Sequence, residues 1–409
     1  MKRVVITGAG VVSPVGIGVE AFFENLTQGV CGVAPITRFD TKDYKVKLAA
    51  EVKDFDPEAA GIDRAQAKRS DLFAQYAMAA AMQAVSDSGI EGRVAPERFG
   101  VYVGSGIGGM QTFVQETEKL LNRGPSRVSP FFVPMMIGNM AAGNIAIRFN
   151  AQGPCLPVVT ACATSSHAIG EAYRAIRFGY ADAVIAGGAE ATVIPLAVAG
   201  FANMKALSES EDANAASLPV DARRGGFVMG EGSGIVVLEE YEHAVNRGAK
   251  VYAEVCGYGN TCDAYHITAP HPEATGAANA FRLALQEAGW QGEKLYINAH
   301  GTGTSMNDKV ETLAIKKALG EDAARAALIS STKSMTGHML GAAGAVEAIA
   351  CAMALQRGVI PPTVHLNVPD PECDLNYVPN EAVKADVAMA LSSSLGFGGH
   401  NAVLAMRRV

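Results

Sequence analysis

Apolar positions along the chain fall into two alternating patterns. Short unbroken runs closed by glycine or a polar turn predict buried strands, and longer Ala-rich stretches with apolar residues three or four apart predict helices. Val4–Thr7, Phe99–Val103, Ala183–Ala186 and Ile235–Glu239 are strand runs of the first half. Asp71 to Ser88 and Gln111 to Leu121 read as helices, the former closed by Gly89. The second half repeats this order. A helix from Ala274 to Gly289 precedes the strand Leu295–Ala299, and the strand Ala327–Thr332 precedes a helix from about Leu340 to Arg357 capped by Gly358. Val387–Ser393 is the last predicted strand. The repetition predicts an α/β fold in which a βα unit is duplicated and helices stack on two mixed sheets. Halves at 1–250 and 251–409 follow, and with no Pro/Ser linker between them they share one core.

One stretch stands out, Leu156-Pro-Val-Val-Thr-Ala-Cys162-Ala-Thr-Ser-Ser-His167. An apolar run ends in a turn, and a helix begins with Ile169, Tyr173 and Ile176 on one face and Gly179 at its end. With the strand before it and Ala183–Ala186 after it, it reads as a βαβ unit. Cys162 stands at the helix mouth, where free N–H groups and the helix dipole favour a thiolate. Buried cysteines are commonly mere packing, so the weight falls on what accompanies it. His300 lies in Ile297-Asn-Ala-His-Gly-Thr302-Gly-Thr304, and His338 in Lys333-Ser-Met-Thr-Gly-His338. A third glycine-flanked turn is Gly396-Phe397-Gly398-Gly399. All three follow predicted strands, whose carboxyl ends carry active sites in α/β folds. Glu347 sits within the apolar segment Ala342–Leu355. A carboxylate there needs a partner, and Lys333 or His338 can serve.

Composition narrows the function classes. Among 409 residues, 18% are charged and the net charge is −7, which argues against a nucleic-acid role. Seven cysteines form no CxxC pair, so neither a disulfide framework nor a structural zinc site is expected, and a reducing, cytoplasmic setting fits. The apolar stretch from Met339 to Leu355 is interrupted by Glu347 and predicts no membrane span. Gly8-Ala-Gly10 and Gly104-Ser-Gly106-Ile107-Gly-Gly109 resemble dinucleotide fingerprints. The first lacks its third glycine and the second an acidic residue at the right distance, so both are expected to be tight turns where backbones approach. A nucleotide-dependent oxidoreductase would rest on those two patterns alone, and a non-catalytic carrier-binding scaffold would require Cys162 to be dispensable.

Taken together, Thr160-Ala-Cys162-Ala-Thr-Ser, His300-Gly-Thr-Gly-Thr304, Lys333-Ser-Met-Thr-Gly-His338 and Gly396-Phe-Gly-Gly399 resemble the motifs of the type II β-ketoacyl-acyl-carrier-protein synthases, and the similarity spans essentially the whole chain. The resemblance implies a thiolase-like fold of five layers, αβαβα, and a homodimer. It implies elongation of acyl carriers with malonyl carrier and release of carbon dioxide, without metal or redox cofactor. By the same resemblance Cys162 would accept the acyl group, and His300 and His338 would promote decarboxylation and steady the enolate. The N–H groups of Cys162 and Phe397 would form the oxyanion hole, and Lys333 and Glu347 would hold His338. Asp308 and Glu311 would support from behind, while Thr302 and Thr304 contact the phosphopantetheine arm. Phe397 and Gly398 would gate the acyl pocket, Ile107 set its depth, and Phe132 reach in from the partner subunit. An acidic acyl carrier protein would dock on Arg64, Lys68, Arg69, Arg127 and Lys205. His338, where initiating synthases have asparagine, fits the elongating branch. A polyketide-type ketosynthase or a synthase of another chain-length range stays open.

Overall fold

The computed structural model describes residues 1–409. Nine strands build its large sheet: β1 (Val4–Ser13), β2 (Phe99–Gly104), β3 (Ala183–Glu190), β4 (Gly232–Glu240), β5 (Ala253–Cys262), β6 (Leu295–Asn298), β7 (Leu328–Ser330), β8 (Met389–Gly396) and β9 (His400–Arg407). Their order is β7-β6-β8-β9-β5-β1-β4-β3-β2, with a short strand, Gly16–Ile17, paired to β1. From either edge the pairing runs parallel first and antiparallel towards the middle, as a duplication requires. The two half-sheets, expected to be separate, join where Val4, Val5 and Ile6 of β1 pair with Val255, Glu254 and Ala253 of β5.

Six helices organise the layers: α1 (Leu72–Ser88), α2 (Met110–Arg123), α3 (Thr164–Arg177), α4 (Thr275–Ala288), α5 (Asn307–Leu319) and α6 (Ala343–Arg357). Helix α1 covers the outer face of β1, β3 and β4, while α4 covers β5 and β9 with α5 packed against it. Between the half-sheets lie α3 and α6, each touching strands of both halves. The result is the five-layer αβαβα arrangement of the thiolase-like fold. Helix α6 is apolar nearly all round, and all its residues from Ala343 to Leu355 are buried, as suits a helix walled in by protein on every side.

Local chemistry explains these elements. The Asp71 carboxylate caps α1 by accepting the Phe73 N–H, and its other oxygen accepts the Thr112 N–H and hydroxyl, tying α1 to α2. Gly89, Gly289 and Gly358 end α1, α4 and α6 in the left-handed conformation. Gly8 and Gly10 are not turns, since β1 continues unbroken through both. A Cβ on either would lie 2.2 Å from the Ala84 carbonyl oxygen or 2.0 Å from that of Ala80, so only glycine lets α1 pack onto this strand. The run before Cys162 is an extended segment and not a strand. Pro154 and Pro157 remove ladder donors there, and only Cys155 bridges to Val101 of β2. The first strand of the βαβ unit is therefore β2, which pairs in parallel with β3. Phe132–Met136 forms a short helix.

Candidate active site

Cys162 occupies the middle of a 3-10 turn, Ala161–Ala163, that leads into α3. Ala161 before it has φ 50°, a conformation that costs an L-residue and lifts the next side chain out of the helix axis. Gly396 at the end of β8 presses against this turn. Its Cβ, if present, would be 2.7 Å from the Thr160 carbonyl oxygen, so glycine is needed for the Phe397 loop to reach the cysteine. The β8–β9 hairpin closes through Phe397, Gly398 and Gly399, with positive φ at both glycines.

His300 follows β6 and is held from below. Glu311 of α5 accepts the His300 N–H at 2.7 Å, the Gly301 N–H at 2.8 Å and the Ser393 hydroxyl at 2.6 Å. Asp308, one turn earlier on α5, accepts the Val220 N–H at 2.8 Å and the Gly303 N–H at 3.3 Å, with the Arg224 guanidinium 3.7 Å away. Two carboxylates on one helix face thus anchor the whole 300–303 loop. His338 is fixed through its backbone. Its N–H donates to the Val228 carbonyl at 2.7 Å and its carbonyl accepts the Gly230 N–H at 2.8 Å. The Leu340 N–H donates to Nδ1 of His338 at 3.3 Å, so the neutral ring carries its proton on Nε2.

These segments meet at one point. The ligating atoms of Cys162, His300 and His338 lie within 4.8 Å of one another, and all three side chains are buried. The two imidazoles stand perpendicular, with ring centroids 5.3 Å apart. Nδ1 of His300 and Nε2 of His338 are buried without a hydrogen-bond partner. Lys333 is buried among them and forms an ion pair with Glu347 of α6. A cavity of about 260 Å³ opens onto Cys162, His300, His338 and Phe397. Thr302 and Thr304 line it, their hydroxyls 3.0 Å apart, and Lys205 stands at its lip.

Burial governs the protonation states. It pushes the Cys162 thiol up to about 11, against the pull of the Lys333 cation and of the Phe397 and Cys162 N–H groups. The expected thiolate is therefore a thiol at rest, because loss of water outweighs the helix-mouth effect. Burial, helped by the nearby Lys333 charge, holds both imidazoles well below the usual histidine range, so they are neutral N–H donors at pH 7. Burial also raises the Glu347 carboxyl to about 7, opposed by Lys333. Cysteine and two histidines are the donor types of a zinc site. Lys333 faces all three, however, and repels a dication, whereas the same charge favours an anionic intermediate.

Other expected site residues lie elsewhere. Ile107 is 40% exposed, in the turn after β2 whose Gly106 approaches the Ala161 carbonyl. Phe132 packs on Phe113 of α2 at the surface, with ring centroids 6.3 Å apart, and does not line the cavity of its own chain. Arg64, Lys68, Arg69 and Arg127 are exposed, with the Arg69 guanidinium 4.7 Å above the Phe131 ring. Three supporting residues were not singled out in the sequence. Phe227 stacks edge-on against His338 at 5.1 Å, Ser393 bonds Glu311, and Glu190 is fully buried beside the cysteine turn. Only the position of Glu190 at the end of a strand run could have flagged it.

Comparison with known proteins agrees with this geometry. The family described as Beta-ketoacyl synthase, N-terminal domain matches residues 1–244, and Beta-ketoacyl synthase, C-terminal domain matches residues 252–367. The chain is 50% identical over 409 residues to "3-oxoacyl-[acyl-carrier-protein] synthase 2" of Staphylococcus aureus (strain COL), covering 100% of this chain and 98% of the relative. Among solved structures, the ishigamide ketosynthase/chain length factor superposes with a TM-score of 0.93 at 39% identity, covering 100% of this chain and 99% of that one. A ketosynthase solved with a type II PKS acyl-carrier protein gives 0.92 at 34% identity, with the same coverage. A cysteine and two neutral imidazoles around one cavity, on a duplicated fold matched over its whole length, mean that this chain belongs to the beta-ketoacyl synthase family of condensing acyltransferases.

Proposed function

We propose that the chain elongates acyl groups carried on an acyl carrier protein, in type II fatty-acid synthesis, and that Cys162, His300 and His338 carry the chemistry. The convergence of these three side chains on one cavity is the observation that carries the reading. In the first half-reaction the Cys162 sulfur attacks the carrier thioester. Its proton leaves with the departing pantetheine sulfur, so one thioester replaces another at little free-energy cost. The N–H groups of Cys162 and Phe397, which favour negative charge at this sulfur, stabilise the oxyanion as it forms. In the second, malonyl carrier loses carbon dioxide and its carbonyl oxygen becomes an enolate. Nε2–H of His338 and an N–H of His300 donate to that oxygen, in a site too dry for water to compete. The enolate carbon attacks the acyl–Cys162 carbonyl, the carbon–sulfur bond breaks, and the cysteine regains a proton as the 3-oxoacyl carrier leaves.

In this reading Lys333 supplies the positive charge that offsets the enolate, and Glu347 fixes it. Glu311 and Asp308 keep the His300 loop in register, while Thr302 and Thr304 hydrogen-bond the pantetheine arm. Phe397 and Gly398 gate the acyl pocket, Ile107 bounds it, and the halves 1–250 and 251–409 act as one unit. The carrier docks on Arg64, Lys68, Arg69, Arg127 and Lys205, all exposed. A second copy of the chain covers the β2 edge, where Leu156 and Val159 are more than half exposed, and brings Phe132 to its neighbour's pocket. Seven free cysteines suit a cytoplasmic setting, and no helix is long and apolar enough to cross a membrane. The test is intact-protein mass after mixing with medium-chain acyl carrier. One acyl mass on the wild type and none on Cys162→Ala is expected; acylation of both would move the nucleophile elsewhere.

A further inference from the structure

Glu190 ends β3 with 0% of its surface exposed, and its carboxylate meets only uncharged donors. One oxygen accepts the Gly106 N–H at 2.9 Å and the Gly341 N–H at 3.0 Å. The other accepts the Ser105 hydroxyl at 3.1 Å and the Ile107 N–H at 3.3 Å. The donors come from two segments far apart in sequence. Ser105–Ile107 is the turn after β2 in the first half, and Gly341 lies in the 3-10 turn Leu340–Ala342 that opens α6 in the second. The two backbones touch over the carboxylate. A Cβ on Gly341 would stand 2.3 Å from the Gly106 nitrogen, and one on Gly106 would stand 2.7 Å from Glu190 Oε2. Three amides converging on one buried carboxylate need an anion or strong acceptor there, because an N–H left unpaired away from water is costly.

What each segment carries gives this clamp its meaning. Ile107 follows Gly106, whose Cβ position is 3.5 Å from the Ala161 carbonyl of the nucleophile turn. Leu340 precedes Gly341, belongs to the same apolar cluster as Cys162, Val193 and Ile194, and donates its N–H to His338. We propose that Glu190 is a positioning residue that locks the Ile107 turn to the Leu340–Gly341 turn, so that one carboxylate sets both the acyl lengths admitted to Cys162 and the stance of His338. This rests on the condensing reading above.

The test compares wild type with Glu190→Gln, an isostere that turns an NH2 group towards amides that need an acceptor. Cys162 acylation by octanoyl and by palmitoyl carrier protein is followed by intact mass, alongside malonyl carrier decarboxylation, with circular dichroism as the control for folding. The octanoyl-to-palmitoyl rate ratio is expected to shift roughly tenfold, the scale of a changed pocket fit, and decarboxylation to fall. A folded Glu190→Gln enzyme with the wild-type ratio overturns the inference. Should that variant not fold, Gly106→Ala decides. It keeps the carboxylate but wedges the turn, so a shifted ratio supports the clamp and an unchanged ratio overturns it. Wild type acylated by neither carrier overturns the condensing reading as well, which separates the two failures.

Discussion

The turn that presents Cys162 and the turn that opens α6 are built alike. Each has a non-glycine residue at positive φ, Ala161 at 50° and Leu340 at 45°, inside a three-residue 3-10 turn. Each turn feeds a central helix, and the helices lock together where the Ser165 hydroxyl accepts the Ala345 N–H at 2.9 Å. The residue after the strained position differs: Cys162 in one turn, Gly341 in the other. The two pedestals share one shape, and only one carries a cysteine. On the other, absence of a side chain lets the Gly106 turn close against the Glu190 carboxylate. On the reading proposed above, the two turns divide the work between reactivity and alignment.

The most decisive way to break this comparison is Cys162→Ala. It should lose acyl transfer by at least about a thousandfold, read as absence of acyl mass, while still decarboxylating malonyl carrier because both imidazoles remain. No decarboxylation would count against the roles given to His300 and His338. Lys333→Ala comes next. It strands Glu347 as an unpaired buried carboxylate, so stability should fall by about 3–5 kcal/mol and condensation should be lost. Urea unfolding of Lys333→Ala beside the double variant with Glu347→Ala checks the first part, since the double variant should recover much of the loss.

Gly341→Ala makes the second pedestal resemble the first and should cost about 1–3 kcal/mol by overpacking against Gly106, measured as a lower urea midpoint. Full retention of stability would mean that the two turns do not press on each other. The smallest effect concerns the thiol. With Cys162 pushed up to about 11, the thiolate fraction grows with pH throughout the neutral and alkaline range. Iodoacetamide alkylation should therefore rise by about tenfold per pH unit from 7 towards 10. A plateau near neutrality would show that the dipole and Lys333 outweigh burial.

Much of this site was legible in the sequence because its residues sit where apolar runs stop, although the run before Cys162 is an extended segment and not a strand. Cys162, His300, His338 and Phe397 each follow an apolar run, and Glu347 was conspicuous as a lone charge in an apolar helix that called for Lys333 or His338 as partner. What escaped has two causes. Glu190 continues the run Ala183–Ala186 and looks like its polar end, and its donors lie at positions 106, 107 and 341, a pairing no local pattern reports. The charge state of Cys162 was misjudged because helix position can be read along the chain, whereas burial depends on everything packed round it. In the fold, β5 and β9 went unread, and Gly8 and Gly10 looked like a turn because the helix that presses on them begins some sixty residues later.

The three residue pairs joining β1 to β5 have a consequence for how the chain is made. β1 leaves the ribosome first, yet its neighbours in the sheet are residues 232–240 on one side and 253–255 on the other. Its apolar residues must therefore wait, one edge bare until residue 240 has emerged and the other, beyond the short pairing with Gly16–Ile17, until residue 255. Nascent chains stalled before that point should be sticky and rich in chaperone contacts. Those released after it can join the half-sheet β1-β4-β3-β2, whose strands have all emerged by residue 240, to β5 and so to the second half.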